Sequence, residues 1–184
     1  MIITHLITTL AMSGAIVNQG QDKVLDNAER MLNTATATQP LVVSAIVDAP
    51  VKDIWKAYTT EAGIKSWMVA EGTIDLKVGG LMRTSYKKGS DLTGPDVIEN
   101  KILSFDPEHM FAMQTVRTPQ NFPYKKAIFD VWTVLYFESM GPKKTNVICR
   151  TLGFDGTQES TNLRLFFMRG NKIELDELVK HFKK

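Results

Sequence analysis

The sequence contains a single cysteine, Cys149, among 184 residues. One thiol cannot form a disulfide within the chain, and the apolar run Val147–Cys149 is typical of a small buried side chain. The patterns H-E-x-x-H, C-x-x-C, G-x-G-x-x-G and G-x-S-x-G do not occur, and the three histidines lie far apart in sequence. Because no catalytic or metal-binding motif is present, we expect neither a cofactor nor a bound metal.

The excess of one sign of charge is also small. The formal net charge is +2, which is too small to indicate nucleic-acid binding. Within the expected folded domain, no run of about 20 apolar residues is long enough to span a bilayer. We therefore expect no nucleic-acid partner and no integral membrane segment in the mature domain.

The amino-terminal segment, residues 1–21, has no Asp, Glu, Lys or Arg. Met1–Val17 is mostly apolar, and Ser13–Ala15 offers small residues at which a signal peptidase could cleave. This pattern is similar to a secretory signal, although the terminal amine is its only positive charge before the apolar run. It predicts a periplasmic or secreted protein. The alternative is an apolar leader on a cytoplasmic protein.

A short helix and a linker are predicted over residues 22–39. In Asp22–Asn33 the apolar side chains Leu25, Ala28 and Leu32 share one helical face. A polar stretch of small residues follows and ends at Pro40. The main domain is therefore predicted over residues 40–184.

The start of that domain combines a strand with an amphipathic helix. Leu41–Val47 is rich in residues that favour β-structure, and Pro50 suits the first position of a helix. In Pro50–Thr59 the apolar residues recur at i, i+3, i+4 and i+7, which predicts one buried face. A second short helix is predicted over Glu61–Trp67, with a break at Gly63.

Six further strands and a long helix complete the pattern. The predicted strands are Gly72–Val78, Leu81–Lys88, Asp96–Phe105, His109–Arg117, Ala127–Glu138 and Thr145–Phe154. The helix is predicted over Gln158–Lys183, with a kink or a close approach to the sheet at Gly170. The order predicts an α+β fold: a curved seven-stranded antiparallel sheet around a long C-terminal helix, with two short helices after the first strand. Such a sheet tends to enclose a cavity.

An ordered set of residues carries a family resemblance. It consists of Val47, Ala49, Pro50, Ile54, Trp55, Ala57, Tyr58, Thr59, Trp67, Val78, Gly79 and Gly80. This set resembles the helix-grip (SRPBCC) superfamily, which includes START lipid-transfer domains, birch-pollen allergens and polyketide cyclases. Within it, the chain is most similar to the family of homologues of the activator of heat-shock-protein-90 ATPase. The resemblance implies a helix-grip fold and binding of a small hydrophobic molecule in its cavity.

The residues expected to line that cavity come from alternate strand positions and the final helix. They are Trp67, Met82, Tyr86, Met113, Phe154, Phe166 and Phe167. The alternative for each apolar member is simple core packing. Polar residues expected within reach are Arg83, Tyr86, Glu99 and Thr115, and each is also an ordinary choice for an exposed strand position.

Three functions fit this pattern. The first is a non-enzymatic protein that binds or carries a small hydrophobic ligand. The second is a cyclase-like or hydrolase-like enzyme that uses Glu99, Tyr86 or Arg83 as its polar catalyst. An enzyme predicts at least two polar groups converging inside the cavity, one of them with a perturbed pKa. The third is a co-chaperone-type interaction module that acts through loops such as Gly89–Pro95 or Thr118–Pro123.

Both faces of the last hairpin are largely apolar in sequence. Trp132, Val134 and Tyr136 alternate with Leu135 and Phe137, so the two groups point to opposite faces. One face is expected to meet the long helix, and the other needs a cover of its own. We expect a homodimer through this outer face or coverage by the predicted helix Asp22–Asn33.

Overall fold

The computed structural model of the chain describes residues 37–183. The described strands are β1 (Leu41–Val47), β2 (Glu71–Ile74), β3 (Leu81–Ser85), β4 (Ile98–Asp106), β5 (Met110–Arg117), β6 (Trp132–Ser139) and β7 (Thr145–Leu152). The described helices are α1 (Val51–Thr59), α2 (Glu61–Trp67), α3 (Ala127–Asp130) and α4 (Gln158–Phe182). The predicted leader and the predicted helix Asp22–Asn33 lie outside the described residues.

All seven strands form one antiparallel sheet. Its order is β1-β7-β6-β5-β4-β3-β2, so consecutive strands pair from β2 to β7 and β1 closes the far edge beside β7. Register shifts in the β4–β5 pair lie near Glu99 and Ile102, where β-bulges increase the local twist. The predicted fold is therefore confirmed: an α+β helix-grip architecture with a seven-stranded antiparallel sheet and a long last helix. None of the helices described within residues 37–183 is long and apolar enough to cross a membrane.

Thr60 separates the two short helices. Its hydroxyl donates to the Lys56 carbonyl at the end of α1 and accepts a 3.0 Å hydrogen bond from the Gly63 amide at the start of α2. Gly63 therefore lies inside α2, and the predicted break at this residue is wrong. A Cβ atom on Gly63 would collide with the Lys56 carbonyl, which explains why glycine occupies this tight corner.

The long helix α4 is uninterrupted over 25 residues. Thr157 caps its first turn by accepting a hydrogen bond from the Ser160 amide. The helix buries Leu163, Leu175 and Leu178 against the sheet and its neighbours. Gly170 stays within the helix, and no described atom outside the helix's own backbone and the adjacent residues lies within 4 Å of the Cβ position it lacks. The expected close approach to the sheet does not occur there, and the alternative, a kink, stays a prediction.

The largest difference from the sequence prediction concerns Ala127–Asp130, which forms the helical turn α3 and not the start of a strand. The Glu159 carboxylate on α4 accepts hydrogen bonds from the backbone amides of Lys126 (2.9 Å) and Ala127 (3.4 Å). An acidic oxygen at these unpaired amides stabilises the start of a helical turn. That carboxylate is 32 residues away in sequence, so local propensity could not reveal it.

Two hydrophobic clusters fill the described domain. The main cluster lies between the sheet and the helices α1, α2 and α4, and includes Ile54, Tyr58, Ile64, Met82, Ile102, Phe111, Leu135, Phe137, Val147, Leu175 and Leu178. The second lies beside α3 and the first half of α4, and contains Leu41, Ala127, Ile128, Val131, Phe154 and Leu163. We call the face of the sheet that carries the main cluster the inner face.

Candidate functional site between the sheet and the last helix

The seven predicted cavity residues are divided between the two hydrophobic clusters. Trp67, Met82, Tyr86 and Met113 belong to the main cluster or pack against it. Phe154 belongs to the second cluster, and Phe166 and Phe167 pack against it. The structure therefore brings together two groups and not one continuous lining. Contact of these seven residues with a ligand stays a prediction.

Two of the predicted polar residues lie on the wrong face of the sheet for a role in the interior. Arg83 follows Met82 on β3, and neighbouring strand residues point to opposite faces. Since Met82 is buried in the main cluster, Arg83 faces outward, as does its cross-strand partner Glu99. Neither can be the polar catalyst of an interior site. Thr115 does lie on the inner face, where its hydroxyl donates a 2.8 Å hydrogen bond to Asn100.

A different set of titratable groups meets inside the domain. It consists of Tyr58 on α1, Tyr86 just after β3, Cys149 on β7 and Glu174 on α4, which we call the interior polar cluster. These groups act on one another electrostatically, with Glu174 as the common partner of the other three. Four separate elements thus converge on one region between the sheet and the last helix.

Glu174 is the half-buried carboxyl of this cluster. Burial raises its pKa from 4.5 to about 7, because the charged form loses its hydration. The Tyr58 hydroxyl opposes part of this increase by favouring the carboxylate. Close to neutral pH the group is therefore present in both forms, so that it either donates or accepts a hydrogen bond.

Tyr58 is fully buried and lacks a good partner for its hydroxyl. Its ring packs edge-on against Trp67 at 5.1 Å between centroids and lies 5.6 Å from the ring of Phe137. The hydroxyl lies near Glu174, yet makes no hydrogen bond of normal geometry within the described residues. An unsatisfied buried hydroxyl is costly, so this atom has unused capacity to bind a polar group.

Tyr86 and Cys149 complete the cluster as neutral groups. Burial is the main cause that raises the pKa of both side chains far above their ordinary values, and the negative charge of Glu174 adds to it. The Cys149 thiol is therefore protonated. It is buried, as the sequence predicted for this residue. Within residues 37–183 no group of three or more His, Cys, Asp or Glu side chains could hold a metal ion.

Sequence reasoning missed Glu174, although a signal for it exists. Residues three and four apart share a helix face, which places Glu174 beside Asn171 and Leu178. Both neighbours are buried, and the Asn171 amide donates to the Thr151 hydroxyl on β7 at 3.4 Å. The spacing of these residues therefore predicts that the Glu174 carboxyl lies on the inward face of the last helix.

Comparison with known proteins agrees with this architecture. The family described as "Activator of Hsp90 ATPase homolog 1-like protein" matches residues 48–183. No curated protein sequence matches the chain significantly.

Several solved structures share the fold at low sequence identity. The Aha1 dimer from Colwellia psychrerythraea is 15% identical with a TM-score of 0.61, covering 78% of this chain and 96% of that one. CalU16 from Micromonospora echinospora is 19% identical with a TM-score of 0.56, covering 78% and 74%. An Hsp90 activator from Plasmodium falciparum is 13% identical with a TM-score of 0.51, covering 72% and 88%. The family match extends over most of the chain and coincides with the described domain, so this protein belongs to the Activator of Hsp90 ATPase homolog 1-like family.

Proposed function

We propose that the protein binds a small, mostly apolar molecule between the sheet and α4, and that a polar group of this molecule contacts Glu174 and Tyr58. The observation that carries the proposal is the half-buried carboxyl of Glu174 beside a Tyr58 hydroxyl that makes no hydrogen bond of normal geometry within residues 37–183, in a region otherwise lined by apolar side chains. Ligand sites typically combine an apolar lining with a few placed polar groups. Trp67, Met113 and Tyr86 are half-buried, pack against the main hydrophobic cluster and would supply the apolar contacts.

Matched probes test this proposal. We expect 1-naphthol to raise the melting temperature of the full chain more than naphthalene, because only naphthol carries a hydroxyl for Glu174 and Tyr58. The double variant Glu174→Gln, Tyr58→Phe should lose that difference. The control Asp176→Asn changes an exposed carboxylate on the same helix and should keep it. If neither probe shifts the melting temperature, and native mass spectrometry of protein from its own host finds no retained small molecule, the proposal is wrong.

Catalysis at the same place is the alternative, and one observation favours it. Two phenols and a carboxyl converge there, and the carboxyl has a pKa near neutrality, which suits a general acid or base. In that case the residue in the catalytic role is Glu174, and not Glu99 or Arg83. Glu174→Gln should then retain a bound host molecule that the native protein converts. Unchanged recovery of the same molecule from both proteins would rule out catalysis.

A co-chaperone role is the third candidate, and the family match favours it. It predicts that the purified chain raises the ATPase rate of a heat-shock-protein-90 chaperone. Substitutions in the loops 89–95 or 118–123 should reduce this effect, whereas Glu174→Gln should leave it unchanged. An unaltered ATPase rate at saturating concentrations of the chain would exclude the role.

We also propose that the outer face mediates a homodimer. Val42, Ile46 and Trp132 lie on this face with exposed fractions of 54%, 52% and 36%, and β1 is an edge strand of the sheet. Exposed apolar edges of this kind favour association. Ile46→Lys should convert a dimer to a monomer in light scattering, whereas Val78→Lys, off this face, should not. A monomeric native chain would contradict the proposal and favour coverage by Asp22–Asn33.

The predicted leader supports a proposal about location. We propose that residues 1–21 direct export to the periplasm or the exterior and are then removed. Mass spectrometry of the mature amino terminus in fractionated cells tests this directly. An intact Met1 in the cytoplasmic fraction would overturn it.

A further inference from the structure

The outer face of the sheet contains a cavity of about 410 Å³ that is widely open to solvent, with a volume within the range of small-molecule sites. Each of four adjacent strands contributes one residue to it, and the loop between β3 and β4 contributes three. The lining residues are Thr73, Arg83, Asp91, Leu92, Thr93, Glu99 and Arg117. This cavity lies on the side of the sheet opposite the interior polar cluster, so a ligand bound here would not occupy the interior site proposed above.

The loop that borders this outer cavity is held in a defined conformation. Arg117 donates from Nη2 to the carbonyls of Thr93 (2.9 Å) and Gly94 (2.8 Å), which ties the loop to β5. The Asp91 carboxylate accepts a 2.9 Å hydrogen bond from the Thr93 amide. Between them, Leu92 adopts φ of +60°, a left-handed conformation that is strained for a residue with a side chain. Such strained residues cluster at ligand-binding loops.

Some hydrogen-bond donors in the outer cavity are paired within the protein and others are not. Glu99 accepts from both guanidinium groups through the same oxygen, Oε1, at 3.1 Å from Arg83 Nε and 3.3 Å from Arg117 Nη1. The two terminal amino groups of Arg83 make no hydrogen bond within the described residues, so a fork of unused N–H donors remains. A ligand that complements this lining must supply acceptors.

The charge of the lining restricts which acceptor fits. Arg83 and Arg117 contribute two positive charges, and Glu99 and Asp91 contribute two negative charges, so the formal sum is zero. A singly charged, planar group matches the guanidinium fork with two parallel hydrogen bonds. A dianion such as phosphate would instead be repelled by the two nearby carboxylates. Leu92 offers the apolar surface for the rest of a small molecule.

We propose that this outer cavity is a binding site for a small monocarboxylate, whose carboxylate pairs with the terminal amino groups of Arg83 and whose apolar part contacts Leu92. Thr73 and Thr93 provide hydroxyls at the same lining. Asp91 at the loop opposes the anion by charge and limits its affinity.

The test is a titration of the isotope-labelled full chain followed by amide NMR. The probes are sodium benzoate, its neutral isostere benzamide, and inorganic phosphate. We expect benzoate to produce saturable shifts confined to the amides of the lining residues. Benzamide and phosphate should bind at least about tenfold more weakly, because one lacks the charge and the other carries an excess.

Substitutions test whether Arg83 binds the carboxylate of the ligand. Arg83→Gln should weaken benzoate binding about tenfold, and Arg83→Lys, which keeps the charge but loses the fork, should fall between. Asp91→Asn retains the acceptor for the Thr93 amide and should tighten binding several-fold. The control Lys101→Gln removes an exposed cation on β4 outside the lining and should change affinity less than twofold.

Several outcomes would overturn the proposal. They are benzoate shifts that do not saturate or that spread over the whole surface, binding of phosphate or benzamide as tight as that of benzoate, and unchanged affinity in Arg83→Gln. A melting temperature within a few degrees of the native value confirms that each variant is folded. If Arg83→Gln fails this criterion, Arg83→Lys and Asp91→Asn decide the question by themselves, since they must shift affinity in opposite directions.

Discussion

The Glu174 carboxyl on α4 lies beside the Tyr58 hydroxyl on α1, close enough for each to alter the pKa of the other, although no hydrogen bond of normal geometry joins them. This pair couples the first and last helices of the domain through a polar contact inside an apolar region. A buried polar pair that is only partly satisfied destabilises the fold and leaves capacity for a ligand. The stability of the protein should therefore depend on the protonation of Glu174.

Glu174→Gln should remove a loss of stability that occurs as the pH rises. Burial raises the pKa of Glu174 to about 7 in the folded state, against an unfolded value of 4.5, so the folded state holds the proton more tightly. The native protein is therefore most stable, with respect to this group, below pH 4.5, and it loses stability as the pH rises through 7. Since Glu174 is only half-buried, we expect this loss to be about 1–2 kcal/mol.

Urea denaturation at pH 4.5 and pH 8 measures this effect. Glu174→Gln should unfold at a higher urea concentration than the native protein at pH 8 and show a smaller difference at pH 4.5. Asp176→Asn, on the exposed side of the same helix, serves as the matched control. If both variants keep the native pH dependence, Glu174 does not have the environment described.

Tyr58→Phe should raise the pKa of Glu174 further, because it removes a hydroxyl that favours the carboxylate. Tyr86→Phe is the matched control, since Tyr86 does not lower that pKa. Carbon NMR titration of the Glu174 carboxyl measures its pKa in each of these two variants. Tyr58→Phe should also change the free energy of unfolding by less than about 1 kcal/mol, because its hydroxyl makes no good hydrogen bond. Equal shifts from both variants would contradict the pairing.

Two glycine-to-alanine substitutions should act in opposite directions. At Gly72 a Cβ atom would lie 2.7 Å from Ile64 Cδ1 and 3.2 Å from Val69 Cγ2, so Gly72→Ala should cost about 1–3 kcal/mol through overpacking. At Gly170, inside α4, a Cβ atom would meet nothing within 4 Å, so Gly170→Ala should stabilise by up to about 1 kcal/mol. Calorimetry of both variants provides the test. Destabilisation by Gly170→Ala would show that the helix bends there.

Thr145→Val should destabilise the junction of β1 and α1. The fully buried Thr145 hydroxyl donates a 2.8 Å hydrogen bond to the Ala49 carbonyl, which accepts no other hydrogen bond from residues 37–183. Valine keeps the shape but leaves that carbonyl unpaired, at a cost of about 1–3 kcal/mol. Thr73→Val, at an exposed strand position, should change the free energy of unfolding by less than about 0.5 kcal/mol. Similar values for both variants in urea denaturation would contradict this assignment.

Much of the fold was accessible from local sequence patterns. The apolar spacing from Val51 to Tyr58 predicted α1, and the alternation in the last hairpin grouped Leu135 with Phe137 on one face, which the structure shows to be the core face. These predictions succeeded because each depends on a period that one element imposes on its own residues. Ala127–Asp130 failed because its conformation depends on Glu159, a contact made by a distant part of the chain.

The candidate site was less accessible. Met82 and Arg83 are consecutive strand residues and cannot both line the interior, so alternation alone excludes one of them. Which one depends on the side of β3 that meets the helices, and that is a tertiary fact. Glu174 was not assigned to the interior because it is a charged residue, although it lies four residues before the buried Leu178 and therefore shares its helix face.

The sequence by itself determined the order of the seven strands, the two early helices and the long last helix, together with their apolar faces, since these follow from periodicity and from capping residues close in the chain. The resemblance of an ordered set of residues indicated the family. Only the tertiary structure decided that Glu174 meets Tyr58 inside the domain while Arg83 and Glu99 pair on the opposite face. The physical reason is that desolvation and charge pairing depend on neighbours from separate elements. Local sequence patterns do not predict which residues of separate elements become neighbours.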